Sequence, residues 1–330
     1  MSMVTVTAPA NIAFIKYWGN SKNNLPLNPS ISMTLSSCVT TTTVSSAEKE
    51  EDLIFIENEG GEVSELKKDS IKNIKAYEQI ERVKNIAGFK GFLTVSSKNS
   101  FPSMAGIASS ASGFCALTSG VVLFTGLENI FNDKKELSKL VRLSGSASAS
   151  RSVHNGFVEL KTGKSEDESF AVEIAPPDHW SLCDVIAVVS SKSKKTPSSE
   201  GHLLALTSPY LKTRIHEMQK RIGLVREAIL NRDLEKIGIC AEQDTISMHA
   251  VMMTSIPPLY YFTEGTMSVI HQVFKLRSSG LAVYFSIDAG ANVHLICEKK
   301  DEKKVVEEFN RNEFVEKTIV NYPCPGVCQL

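Results

Sequence analysis

Pro102-Ser103-Met104-Ala105-Gly106-Ile107-Ala108-Ser109-Ser110-Ala111-Ser112 is a run of small residues leading into Phe114, Leu117, Thr118, Val121 and Val122 at helical spacing. Small side chains let backbone N–H groups close on an anion, and the helix that comes next points its positive end at the same place. Ser109 and Ser110 would add hydroxyl donors in the first turn. The same composition suits a tightly packed turn with no ligand. Alone, the run gives a phosphate cradle or a structural loop between a strand at Phe92–Ser96 and a helix.

Working outward, Val4–Thr7, Ile31–Ser45 and Leu53–Glu57 predict strands, the second rich in Thr and Val. A turn is expected at 59–62, and a helix over Ser64–Ile86 ending near Gly88. Asp133 with Glu136 predicts a capped short helix through Leu143. Asp184–Val189 predicts a buried strand after Pro176-Pro177, where a boundary is expected between domains 1–178 and 179–330. Ser208-Pro209 predicts an N-cap and first helical residue. Leu211, Ile215, Met218, Ile222, Val225 and Ile229 then mark one face of a long amphipathic helix. A helix from Leu234, another stopping at Gly280, and a hairpin of Ala282–Ile287 with Val293–Cys297 come after it. A helix from Asp301 and a strand near Thr318–Tyr322 close the chain. The pattern is α/β (α+β).

Lys plus Arg total 36 against 37 Asp plus Glu. That balance predicts neither nucleic acid nor membrane as a partner. The apolar stretch Gly113–Leu127 is too short to span a bilayer. Seven scattered cysteines fit no zinc pattern and no small disulfide framework, and predict reduced thiols in a cytoplasmic protein. His249, among Met248, Val251 and Met252, reads as a core or interface histidine. No G-x-G-x-x-G or G-x-S-x-G is present, and Thr162-Gly163-Lys164-Ser165 lacks the leading Gly of a P-loop.

Three further stretches carry chemistry. Ser144-Gly145-Ser146-Ala147-Ser148-Ala149-Ser150-Arg151-Ser152 offers neutral donors and one bidentate cation, or else is a solvated linker. Asn11-Ile12-Ala13-Phe14-Ile15-Lys16-Tyr17-Trp18-Gly19-Asn20 sets a Lys and an Asn among apolar residues, where burial without partners is costly. The alternative is a Lys whose stem packs while its head reaches water. Asp288, at the hairpin tip, is a base or hydroxyl-aligning group if it faces the anion loop, and otherwise an Asx-turn.

Taken in chain order, the four stretches, with Asn24–Ser32, resemble the GHMP kinase superfamily, and within it the diphosphomevalonate decarboxylase branch. The resemblance runs from residue 8 to beyond 290. It implies a two-domain fold, an N-terminal domain like that of ribosomal protein S5 and a ferredoxin-like α+β C-terminal domain, and a homodimer. It also implies ATP and Mg²⁺ as cofactors, any metal arriving with the nucleotide. The implied reaction is the ATP-dependent decarboxylation of mevalonate 5-diphosphate to isopentenyl diphosphate. The resemblance gives Asp288, Lys16, Arg151 and Ser148 catalytic roles. It puts Asn11, Tyr17, Trp18, Asn20, Lys22 and Ser146 on the substrate, and Ser103, Gly106, Ser109, Ser110 and Ser112 on ATP.

Two positions depart from the pattern. Asn20 stands where many members carry a Lys for the substrate's far phosphate, with Lys22 two residues on. Glu200 stands where some relatives have an Arg, with Lys192, Lys194 and Lys195 nearby. The first of these keeps open a phosphomevalonate decarboxylase. Other readings are a small-molecule kinase that does not decarboxylate and a non-catalytic nucleotide- or RNA-binding protein.

Overall fold

The computed structural model describes residues 3–21, 25–58, 60–68, 73–101, 109–190 and 198–330. In chain order the strands are β1 (Met3–Ile15), β2 (Ser30–Ser46), β3 (Leu53–Glu57), β4 (Val63–Glu65), β5 (Leu93–Asn99), β6 (Phe157–Leu160), β7 (Ala171–Ala175), β8 (Leu182–Val188), β9 (Tyr284–Ser286), β10 (Val293–Glu298), β11 (Lys317–Asn321) and β12 (Cys328–Gln329). The helices are α1 (Ile74–Ala87), α2 (Ser109–Phe124), α3 (Glu128–Asn132), α4 (Lys134–Arg142), α5 (Ser198–Leu204), α6 (Leu211–Asn231), α7 (Leu234–Met253), α8 (Glu264–Ser278) and α9 (Glu302–Asn310).

The strands form two sheets. An eight-stranded sheet runs β12-β1-β2-β5-β3-β4, with β6 pairing the N-terminal end of β2 and β7 pairing β6. Among the described residues its one parallel pair is β3 with β5. The four-stranded sheet is antiparallel in the order β11-β8-β10-β9. Helices α5 to α8 lie between β8 and β9, and α9 connects β10 to β11, so helices alternate with an antiparallel sheet in the ferredoxin-like manner. The mixed α/β class expected from the sequence is therefore the one observed.

Burial follows the residue pattern. The first residues of β1 alternate, Val4 and Val6 inward and Thr5 and Thr7 half-exposed, against α1, α2 and α4. From Ala8 to Ile15 both faces of β1 are buried, because α6 and α7 pack on its second face. One core joins Ile12, Phe14, Ile31 and Met33 of the large sheet to Met218 and Val225 of α6, Ile237 and Ala241 of α7, and Ile186 and Ile296 of the small sheet. At about 1.5–3 kcal/mol for each buried aliphatic side chain, this shared layer holds the sheets in one register. The opposite face of the small sheet packs on α8 and α9 through Val185, Leu295, Phe285, Val269 and Phe309.

Some expectations need correction. Residues 63–65 are a strand paired with β3, so the helix expected from Ser64 begins at Ile74 and ends, as expected, at the left-handed Gly88. The helix expected from Pro209 begins at Leu211 with Tyr210 as its cap, while Ser208 Oγ accepts the Tyr210 N–H. The serine run is no flexible spacer. Ala147–Val153 is a buried 3-10 helix, with Ser150 Oγ donating to Ser138 O. The four strands β4, β6, β7 and β12 were not expected from the sequence. All seven cysteines are free. No helix among the described residues is long and apolar enough to cross a membrane.

Candidate active site

Where β1 ends, Lys16 is delivered into the seam between the sheets. Its backbone is clamped there. The N–H donates to Asp244 Oδ2 of α7 at 2.8 Å, and the carbonyl accepts from Arg214 of α6 at 2.7 Å and from Asn28 Nδ2 at 3.1 Å. Asp244 and Arg214 are themselves a buried ion pair at 3.0 Å. The side chain, 3% exposed, directs Nζ at Ala13 O (2.6 Å), Ser286 Oγ (2.7 Å) and Asp288 Oδ1 (2.9 Å). Its three ammonium protons are thus matched by three acceptors. The snorkelling alternative does not apply.

Asp288 lies in the β9–β10 hairpin, with its carboxylate 26% exposed. The loop is pinned from three sides. Thr245 of α7 accepts the Ile287 N–H, Thr266 of α8 donates to Ala291 O, and Asn292 Oδ1 accepts the N–H groups of Val189 and Ser190. Burial works against ionisation of Asp288, but Lys16, then His294 and Arg151, outweigh it and hold its carboxyl below the usual range. His249, one turn beyond Thr245, packs on Phe262 with ring centroids 4.1 Å apart. Burial and neighbouring Lys16 push it down to about 3, so it faces the pair as a neutral imidazole.

Arg151 approaches from the 3-10 helix and is 3% exposed. Its guanidinium donates to Asn11 Oδ1 (2.9 and 3.1 Å), Ser32 Oγ (2.8 Å) and Ser30 Oγ (2.5 Å). No carboxylate among the described residues is paired with it. Burial pushes it down to about 10, against the pull of Tyr17 and Asp288. A buried cation held only by neutral oxygens suits an incoming anion. Asn11 is fixed in turn by donating to Ser148 O and Ser152 Oγ. Burial raises the Tyr17 phenol despite Arg151 and the Ser148 contacts, so it stays a neutral donor.

The anion loop's end is partly visible. Ser110 Oγ lies 3.4 Å from Ser146 Oγ, itself 2.9 Å from Ser148 Oγ, a hydroxyl line from the start of α2 towards Arg151. Ser109 sits in that first turn. Ser112 is turned inward and receives the Thr40 hydroxyl at 2.7 Å. Ser103, Gly106 and Lys22 lie outside the described residues. Trp18 enters an apolar cluster with Leu211, Met248 and Leu259, and its indole N–H has no partner among the described residues. Asn20 bridges to Pro26. The structure thus brings together Asn11, Lys16, Tyr17, Ser146, Ser148, Arg151 and Asp288 at one seam. Sequence reasoning missed Ser286, Asp244, Arg214 and Thr245. Each acts through a partner far along the chain, so local spacing carries no sign of it.

Two family models match, a diphosphomevalonate decarboxylase-like N-terminal domain over residues 8–171 and a mevalonate 5-diphosphate decarboxylase C-terminal domain over 184–322. The chain belongs to the diphosphomevalonate decarboxylase family. The decarboxylase of Candida albicans is 36% identical over 321 residues, covering 93% of this chain and 87% of that one. The human decarboxylase is 32% identical over 310 residues, covering 88% and 76%. Mevalonate diphosphate decarboxylase from Staphylococcus aureus superposes with a TM-score of 0.90 at 29% identity, covering 100% of this chain and 98% of that one. A structure described as MDDEF in complex with MVAPP, AMPPCP and magnesium gives 0.89 at 30% identity, covering 100% and 99%.

Proposed function

We propose that this decarboxylase-family chain converts mevalonate 5-diphosphate and ATP to isopentenyl diphosphate, ADP, phosphate and CO₂. The observation that carries the reading is the Lys16–Asp288 pair beside a buried Arg151 with neutral partners. Arg151 would hold the substrate carboxylate with Ser148 beside it, and Asn11, Tyr17, Trp18, Asn20 and Ser146 would line the rest. Ser109 and Ser110 would meet the nucleotide's phosphates at the start of α2, together with Ser103 and Gly106. Ser112, bonded to Thr40, supports that turn from beneath. Mg²⁺ would arrive on the nucleotide, keeping water and phosphate oxygens as ligands.

Asp288 would accept the hydrogen bond of the tertiary hydroxyl and fix its lone pair for attack. A carboxylate tied to a lysine is a weak base, but the hydroxyl becomes strongly acidic as its oxygen bonds phosphorus. Asp288 can therefore take that proton late in the step. Lys16 offsets the negative charge gathering there, and its clamped backbone keeps it from following the substrate. Mg-ATP, when bound, supplies the phosphoryl group that makes the hydroxyl a leaving group. Departure of phosphate draws the electron pair of the C–CO₂⁻ bond into the new double bond and releases CO₂. Arg151, paired with no carboxylate among the described residues, would orient that group for cleavage.

A division between residues 178 and 179 belongs to this reading, supported by family matches over 8–171 and 184–322, although β12 returns to pair β1. A homodimer in a reducing, cytoplasmic setting accompanies this reading, the latter supported by seven free thiols. Assay of mevalonate 5-diphosphate, the 5-monophosphate and free mevalonate side by side tests the substrate. Asn20 in place of a lysine makes the monophosphate the comparison that matters. A preference for it would reassign the chain to phosphomevalonate decarboxylation.

A further inference from the structure

Past Lys16 the chain leaves β1 as Tyr17-Trp18-Gly19-Asn20, and one side chain from the second half of the protein holds this segment. His202 of α5 lies parallel to the Tyr17 ring, with centroids 4.8 Å apart and planes 8° apart. It also packs on Trp18 at 4.3 Å. Its Nδ1 accepts the Gly19 N–H at 3.0 Å, which places the imidazole proton on Nε2. Gly19 has φ +96°, a turn that favours glycine, and it aims its amide at this ring. Beside it, a Cβ on Gly201 would fall 2.6 Å from the Trp18 ring, so α5 approaches the indole as closely as glycine allows. The buried Trp18 N–H has no partner among the described residues.

We propose that His202 is a positioning residue for the substrate. By stacking on Tyr17 and Trp18 and accepting the Gly19 amide, it sets the segment that meets the substrate's phosphorylated end. This rests on the decarboxylase reading, in which Tyr17, Trp18 and Asn20 line the substrate beyond its carboxylate. Lys16 is anchored separately by Asp244, Arg214 and Asn28, so the reacting centre does not depend on His202. The inference therefore assigns His202 to substrate affinity and not to the chemical step.

His202→Phe keeps a ring between Tyr17 and Trp18 but loses the acceptor, whereas His202→Asn keeps an acceptor and loses the ring. The pair also covers the case in which one variant fails to fold. In the full-length protein each should raise KM for mevalonate 5-diphosphate about tenfold, with kcat within about twofold and KM for ATP unchanged. A fall in kcat at unchanged KM, or equal rises in both KM values, overturns the proposal. Trp18 fluorescence gives a readout separate from turnover, in a Trp180→Phe background because the chain has two tryptophans. His202→Asn should shift Trp18 emission, and unchanged emission overturns the seating. Wild-type turnover of mevalonate 5-diphosphate with indistinguishable variants sinks this inference alone. A wild type that turns over only the monophosphate, with the KM effect on that substrate, corrects the parent reading and supports His202.

Discussion

Lys16 and Asp288 are 272 positions apart in sequence and 2.9 Å apart in space, and the proposed mechanism rests on that contact. Asp288→Asn keeps the shape and removes the charge and the proton acceptor. It should lower kcat by about 10²–10⁴-fold while calorimetric nucleotide affinity stays nearly unchanged; wild-type turnover would remove Asp288 from the mechanism. His249 sets a different prediction. Folded, its imidazole is pushed to about 3 by burial and Lys16, whereas an unfolded histidine titrates near about 6.5. Below that pH the unfolded chain takes up a proton that the folded chain refuses, so stability falls as pH drops towards 3. The slope approaches about 1.4 kcal/mol per pH unit from this residue. Urea midpoints from pH 7 to 5 should fall less steeply in His249→Phe than in wild type, and equal slopes would contradict the account.

At the scale of elements, α7 does most to build the site. Asp244 and Thr245 on its inner face hold the Lys16 and Ile287 amides, and His249 lies one turn on. That closeness depends on Gly238, where a Cβ would fall 2.1 Å from the Tyr284 ring of β9. Helix propensity alone makes Gly238→Ala stabilising by about 1 kcal/mol. Overpacking against Tyr284 should reverse the sign, with a net loss of about 1–3 kcal/mol in chemical denaturation and a weakened Asp288 loop. A more stable variant would refute this packing argument. Elements with strong local periodicity were legible. The α6 stripe from Leu211 to Ile229 and the hairpin around Asp288-Ala289-Gly290 needed only their own residues. Residues 63–65 were not, because pairing with β3 overrides the helix-forming tendency of their Glu- and Lys-rich surroundings. β6 was hidden because Phe157–Leu160 are all buried, which erases the alternation that marks a strand.

For the whole molecule, one core spans both sheets through α6 and α7, and the site occupies the seam they brace. Ordered motifs were enough to read the family, and they single out Lys16, Arg151 and Asp288, which the structure brings to one seam. The supports were beyond reach because they are long-range contacts. Asp244 meets Lys16 across 228 positions and Arg151 meets Ser30 across 121. The central claim is that this seam couples phosphoryl transfer to carbon–carbon cleavage. The most direct measurement is the ratio of CO₂ to ADP released by the purified protein with Mg-ATP and mevalonate 5-diphosphate. The account predicts equal amounts throughout the reaction. ADP without CO₂ would contradict it and leave a kinase.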